Sequence, residues 1–480
     1  MNDQTEDILD IGEAKKRIAL QLKKIASGNF PNNLHPVLQF KTKIQYRDPL
    51  KWLDAQEDNT RFYFCGRNVR DFETAGVGVA DAIYAPETPD YQSAFAHMRK
   101  YLVPEYPELK YYGGFSFAPG HIDADWKPFG ACHFFIPRFQ LLLKENDAFL
   151  VCNVITHKET PASIEKIIIQ LEQMNFTGPR DFPKPGKPIS RTDYPNHDRW
   201  LETLTRVIAE IKNGQYKKTV LARKVELLFE NPPDPVAILA SLKQTSSRRY
   251  DFLFQFDAKT AFLGSSPEQL YQRNGRNLES EAIAGTRSRG KNQQEDTALA
   301  EELMNSNKDQ REHDFVIHTI EQELRPFCSS LDVESNKSLL ILKEGMHLIS
   351  HIKGTLKSSV TDEMLISILH PTPAVGGCPR EKALAVIRES EPFKRGWYAG
   401  VIGSVGHGSV DFAVGLRSAL VKNNLLALYS GVGIVEGSIP EDEWKEVDDK
   451  ILNFMNIINP LPFIPVITVT GNRVVEKTEP

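Results

Sequence analysis

A chain of 480 residues, 41% hydrophobic and 25% charged, can bury one large core or two to three ordinary ones, and its balance is that of a globular protein rather than a disordered one. The formal net charge of -5 supplies no broad basic surface, so nucleic acid and anionic membrane are disfavoured and an anionic ligand has to be met by locally placed cations. The five cysteines, Cys65, Cys132, Cys152, Cys328 and Cys378, lie far apart and contain no C-x-x-C pair. Together with an acidic start that lacks an apolar targeting segment, and with no apolar run of roughly 18 residues, they point to a reducing, cytoplasmic setting without membrane insertion.

In chain order, short apolar runs such as Arg61-Phe62-Tyr63-Phe64-Cys65 and Ala148-Phe149-Leu150-Val151-Cys152 alternate with polar or Gly-containing turns from about 29 to 160, which predicts a β-rich N-terminal region over 1–176. Pro179, Pro183, Pro185, Pro188 and Pro195 make 177–198 a predicted linker, since proline sustains neither a helix interior nor a central strand. The region 199–460 follows. Trp200, Leu201, Leu204, Val207, Ile208 and Ile211 recur at helical spacing up to Asn213-Gly214, and a strand over 218–228 should come next. Residues 295–326 form the longest helical pattern, ended by Pro326. Residues 398–434 read as a three-stranded meander turning at Gly406-His407-Gly408 and Lys422-Asn423-Asn424, and the tail over 461–480 as frayed. The chain has no short repeat.

The informative residues are charges on apolar stripes. Ser438 and Glu441 have capping-box spacing, with Pro440 in the first turn of the helix they would open. At about 100° per residue, Glu443, Glu446 and Lys450 then fall on one face with Val447, Phe454 and Ile457, while Lys445, Asp448 and Asp449 point the other way. The same arithmetic places Glu312 among Phe315, Val316, Thr319 and Ile320. Unpaired buried carboxylates cost several kcal/mol or more, so these groups need cations. A hard divalent ion with oxygen ligands would serve; so would a structural i, i+4 pair between Glu446 and Lys450. On a strand over 411–421, Arg417 would share its face with Ala413, Gly415 and Ala419, a floor of small residues beside a fixed cation, and Tyr429, Gly431 and Gly433 share a face of the next strand. A guanidinium so placed suits bidentate capture of a carboxylate; a tightly packed sheet with a surface arginine fits the same pattern.

These residues lie inside a series of segments: Lys218-Thr219-Val220-Leu221-Ala222-Arg223, Gly264-Ser265-Ser266-Pro267-Glu268, Ala284-Gly285-Thr286, Arg311-Glu312-His313, Met346-His347-Leu348, His370-Pro371-Thr372-Pro373-Ala374-Val375-Gly376-Gly377, Trp397-Tyr398-Ala399-Gly400, Arg417, Gly431-Val432-Gly433-Ile434, then Glu443, Glu446 and Lys450. In this order and over roughly 195–460, the series resembles the chorismate-utilising enzymes, which include isochorismate synthase, salicylate synthase, anthranilate synthase component I and aminodeoxychorismate synthase component I. The resemblance implies an α+β fold of two large antiparallel β-sheets with flanking helices, into which the N-terminal region is woven. It implies that Glu312 and Glu446, with Glu443, hold Mg²⁺, and that Gly285, Thr286, His347, Thr372, Tyr398, Arg417, Gly431, Gly433 and Lys450 line the substrate chorismate.

Within the family, the nucleophile separates the members. The ammonia-using enzymes resemble this chain but typically carry Gln where Lys218 stands, and the aminodeoxychorismate synthases commonly have a lysine where Ala284 stands. No amidotransferase partner is therefore implied. The resemblance implies isochorismate synthase chemistry, with Lys218 as the base that activates water for attack at ring carbon 2 and Glu268 as the acid that protonates the hydroxyl leaving carbon 4. One pH has to leave the base neutral and the acid protonated. Salicylate synthase, which continues to pyruvate elimination, is the nearest alternative, and a non-catalytic chorismate-binding protein is one from another class. The product could feed menaquinone or a siderophore; a segment containing Arg67, Asp71, Phe72 and Gly76 leans to menaquinone.

Overall fold

Phe62, Tyr63, Phe64 and Cys65 are buried without a polar alternation, so their strand has to be covered on both faces and paired on both edges. It is: Arg61–Cys65 lies antiparallel between Glu73–Ala85 and Tyr250–Asp257. The computed structural model describes residues 8–27, 35–67, 72–120, 122–178, 181–245, 249–290, 292–334, 337–341, 345–458, 467–470 and 473–476. Asp71, Pro179 and, of the predicted tail, 461–466, 471–472 and 477–480 lie outside these residues.

From that central strand the first sheet runs one way through Tyr250–Asp257, Thr260–Ser266, Ser418–Lys422, Leu425–Ile434 and Lys218–Phe229 to Pro188–Tyr194, and the other way through Glu73–Ala85, Cys132–Lys144 and Asp147–Ile155 to Val37–Ile44. A second sheet contains, in spatial order, Lys110–Phe115, Val401–Gly406, Ser409–Val414, Gln269–Asn274, Asn277–Ser288 and Gly345–Leu356, with Cys328–Val333 and Ser338–Ile341 on the outer edge. All these pairings are antiparallel. The sheets are joined because one edge of Cys132–Lys144 is divided: its first residues pair with Lys110–Phe115 and its last with Asp147–Ile155. Helices flank both sheets, in keeping with the α+β class.

Several local expectations need correction. Within 177–198, Pro188–Tyr194 is an edge strand on Lys218–Phe229, and the helix His197–Lys212 starts before the predicted linker ends. Pro188 and Pro195 fit because they stand at and beyond the strand ends, where no ladder donor is lost. The helical pattern over 295–326 is two helices, Gln293–Asn305 and Asn307–Leu324. Ser306 is extended between them, and its hydroxyl accepts from the Asp309 N–H to cap the second. The expected capping box is not formed at Pro440–Ile458: the Ser438 hydroxyl accepts from the Val435 N–H instead. Asp448 does face away from the side carrying Glu443, Glu446 and Lys450, and there it is bound by Arg191 at 3.0 Å and by the fully buried Arg223. The expected meander is instead two hairpins, Val401–Gly406 with Ser409–Val414 in the second sheet and Ser418–Lys422 with Leu425–Ile434 in the first, because the chain breaks between Val414 and Ser418, where Arg417 has a φ of 47°. In the tail, Ile467–Thr470 and Arg473–Glu476 pair as a hairpin.

The aromatic core orients the segment that leads into the cavity described below. Trp397 meets Phe129, Phe254 and Phe262 edge-on, with centroids 5.2, 5.7 and 6.3 Å away, and Trp126 meets Phe262 at 5.2 Å. Gly396 makes this possible: its φ is +56°, and a Cβ there would sit 2.0 Å from the Trp126 indole. Gly396→Ala is therefore expected to lower stability by roughly 2–4 kcal/mol through overpacking and left-handed strain, read as an earlier urea midpoint than wild type.

Candidate active site

A cavity of about 220 Å³ opens where strand ends of both sheets meet the helices Asn307–Leu324 and Pro440–Ile458. Lys218 enters it from the first residue of Lys218–Phe229, a strand held by Leu425–Ile434 on one side and by Gly377–Cys378 on the other. The lysine is 4% exposed, and its Nζ donates to Glu312 at 2.8 Å. That ion pair holds the Glu312 carboxyl below the ordinary carboxylate range. Gly433 lies directly beneath it: a Cβ there would come within 2.8 Å of Lys218 Cε and 3.3 Å of Nζ. A strand glycine here is the space occupied by a lysine.

Glu268 projects from the turn between Thr260–Ser266 and Gln269–Asn274. Burial, reinforced by the nearby Glu281 carboxylate, pushes its carboxyl up to about 7, against the opposing charges of Lys218 and Arg67. Thr372 is buried beside that carboxyl and is not on the cavity wall, unlike the other residues put forward from the sequence. On Asn277–Ser288 the register slips between Ala284 and Thr286, so Gly285, at φ +76°, is a bulge residue, and the bulge brings Thr286 opposite His347. The Thr286 hydroxyl lies 3.0 Å from His347 Nδ1, while Nε2 is buried with no hydrogen-bond partner. Burial and the Arg417 and Lys450 charges push this imidazole down to about 3, so it is neutral near pH 7.

The opposite charge set comes from the Pro440–Ile458 helix. Lys450 Nζ bonds Glu446 at 2.8 Å and the Gly431 carbonyl at 2.9 Å, and the Glu446 carboxyl is held low by that ammonium. Glu443 is raised by burial and is hydrogen-bonded by Ser438. Arg417 donates to the Lys450 carbonyl at 3.0 Å from its left-handed position rather than from a strand face, a geometry that alternation did not predict. Tyr398 stacks on Tyr429 at 5.3 Å, and a Cβ on Gly431 would lie 3.0 Å from its hydroxyl. Among the described residues no three His, Cys, Asp or Glu side chains form a group that could hold a metal ion unaided. Glu312 and Glu446 are nevertheless close enough to repel each other across the cavity, an oxygen pair suited to a hard cation that keeps water or ligand oxygens in its shell.

Two groups on the wall escaped the sequence reading. Lys308, one turn before Glu312, adds positive charge near Glu312, Glu443 and Glu446; its spacing of four from Glu312 was the available signal. Arg395 is 4% exposed and donates to the Val220 and Val375 carbonyls and to Glu391, so it ties the Lys218 strand to the segment that follows Thr372. Nothing in its local pattern separates it from a surface arginine.

Residues 23–459 match the family described as chorismate binding enzyme. The chain is 35% identical over 394 residues to a chloroplastic isochorismate synthase of Catharanthus roseus, covering 80% of this chain and 68% of that one. It is 31% identical over 417 residues to the isochorismate synthase MenF of Escherichia coli, covering 86% and 90%. The structure of the menaquinone-specific isochorismate synthase MenF from Escherichia coli superposes with a TM-score of 0.80 at 28% identity, covering 93% of this chain and 99% of that one. With the match running through almost every segment that builds the cavity, the chain belongs to the chorismate-binding enzymes.

Proposed function

We propose that this chain is an isochorismate synthase, which converts chorismate to isochorismate. The observation that carries the reading is the meeting of a buried lysine and a buried carboxyl raised to about 7 in one cavity lined by Arg417, Lys450 and Lys308. In the neutral amine form that the step requires, Lys218 takes a proton from water as the water oxygen bonds to ring carbon 2. The ring double bonds shift, the bond from carbon 4 to its hydroxyl breaks, and Glu268 gives its proton to the departing oxygen, so one water enters and one leaves. Arg417 and Lys450 are cations suited to the two carboxylates of the substrate. The unpartnered His347 Nε2 is free to hydrogen-bond it, and Tyr398 supplies an apolar wall ending in a hydroxyl.

Glu312 and Glu446, with Glu443 beside them, would hold Mg²⁺, whose charge would polarise the ring carboxylate. The all-oxygen donor set fits that ion. Glu312 then has two duties, since the same carboxylate anchors Lys218. The five thiols are free, four of them buried, which suits a reducing cytoplasm; no helix among the described residues is long and apolar enough to cross a membrane.

Chromatography of purified protein incubated with chorismate is expected to give isochorismate with little salicylate or pyruvate, dependent on added Mg²⁺ and abolished by a chelator. Lys218→Ala and Glu268→Gln should each lower turnover by at least about 100-fold. Salicylate and pyruvate as main products would replace this reading with salicylate synthase, and binding without turnover would end it. Gly433→Ala should fold normally, because the obstacle is the far end of a flexible side chain. It should still lose roughly tenfold or more in kcat, because the methyl group displaces Lys218.

A further inference from the structure

Arg67 takes no part in the chemistry above. It follows the strand Arg61–Cys65 in the N-terminal region, is largely buried, and reaches into the catalytic half. One guanidinium nitrogen donates to the carbonyl of Pro267, the residue before Glu268, and another donates to the Glu281 carboxylate. The guanidinium lies 5.7 Å over the Tyr250 ring. Glu281 Oε1 also faces His351 Nδ1 at 3.4 Å, and Oε2 is buried with no hydrogen-bond partner. A buried carboxylate with an orphaned oxygen is costly to keep, yet neither Arg67 nor Glu281 lines the cavity. What they adjoin is the turn carrying Glu268. That turn is otherwise held by the Val414 N–H donating to the Glu268 carbonyl at 3.1 Å and by the Glu268 N–H donating to the Ser266 hydroxyl at 3.3 Å.

We infer that Arg67 and Glu281 are positioning residues for Glu268: the guanidinium ties down the turn from which the carboxyl projects, and Glu281 keeps a negative charge beside it. The inference rests on the reading of Glu268 as the acid. The charged groups facing Glu268 are Glu281 from Asn277–Ser288, Lys218 from Lys218–Phe229 and Arg67 from the end of Arg61–Cys65, with the Thr372 hydroxyl alongside and His351 behind Glu281. Of these, Glu281 favours the protonated acid, whereas Lys218 and Arg67 favour the carboxylate. Removing the Glu281 charge therefore lowers the pH at which Glu268 ionises. Lysine at position 67 would keep the charge but lack the planar fork that spans both partners.

The test follows the Glu268 carboxyl of the full chain by infrared difference spectroscopy across pH, with its band assigned by its loss in Glu268→Gln, alongside steady-state kinetics with chorismate. Glu281→Gln, nearly the same shape and able to leave the Arg67–Pro267 contact in place, is expected to lower the Glu268 midpoint by about 1 pH unit. Arg67→Lys is expected to reduce kcat about tenfold with KM within about twofold of wild type. A midpoint unmoved in Glu281→Gln, or a wild-type kcat in Arg67→Lys, overturns the inference while leaving the acid assignment standing. Undiminished turnover in Glu268→Gln overturns the assignment itself, and this inference with it.

Discussion

Charge taken out of water has to be matched, and the cavity is organised around that requirement. Lys218 is paired with Glu312, Lys450 with Glu446, and the Glu443 carboxyl is raised toward its neutral form by burial. Cations and carboxylates both line the cavity, with Lys218, Lys308, Arg417 and Lys450 among the former and Glu312, Glu443 and Glu446 among the latter. Glu268 is the exception: burial and Glu281 outweigh the cations beside it, and the imbalance is what suits it to give up a proton near neutral pH.

The fold supplies these pairings by local departures from regularity. Gly285 bulges one strand so that Thr286 meets His347, Arg417 interrupts another in a left-handed conformation, and Gly433 leaves room for the lysine crossing it. Regular strands would point alternate residues to opposite faces. The breaks let side chains from both sheets converge at one end, and the shared strand Cys132–Lys144 together with the Trp397 aromatic cluster keeps that end in register.

The N-terminal region takes part in this design. Arg61–Cys65 lies in the middle of the first sheet and Lys110–Phe115 pairs with Val401–Gly406, so early and late segments of the chain share their hydrogen-bond ladders. Arg67 extends that interleaving to the turn bearing Glu268. The chain segment that carries no cavity residue thus bears directly on the geometry of one that does.

The sequence by itself determined the elements whose signal is local: the helix starting near Trp200, the strand from Lys218, and the helical stripe that sets Glu443, Glu446 and Lys450 on one face. Periodicity reports such faces because the repeat of the backbone is fixed by bonding alone. It also exposed Glu312, Glu443 and Glu446 in apolar company, whereas Lys218, Glu268, Gly285, Thr286, His347, Thr372 and Tyr398 came only from the resemblance to the chorismate-utilising enzymes; of the fourteen residues put forward, thirteen line one cavity and Thr372 is set behind the wall. The tertiary structure alone decided the rest. The pairing of Lys218 with Glu312 spans 94 positions, the break at Ser306 depends on a cap competing with helix propensity, and the left-handed Arg417 is held by a carbonyl on a distant helix. Those outcomes depend on which segments meet in space and which buried charges must then be satisfied, and neither is written in the spacing of neighbouring residues.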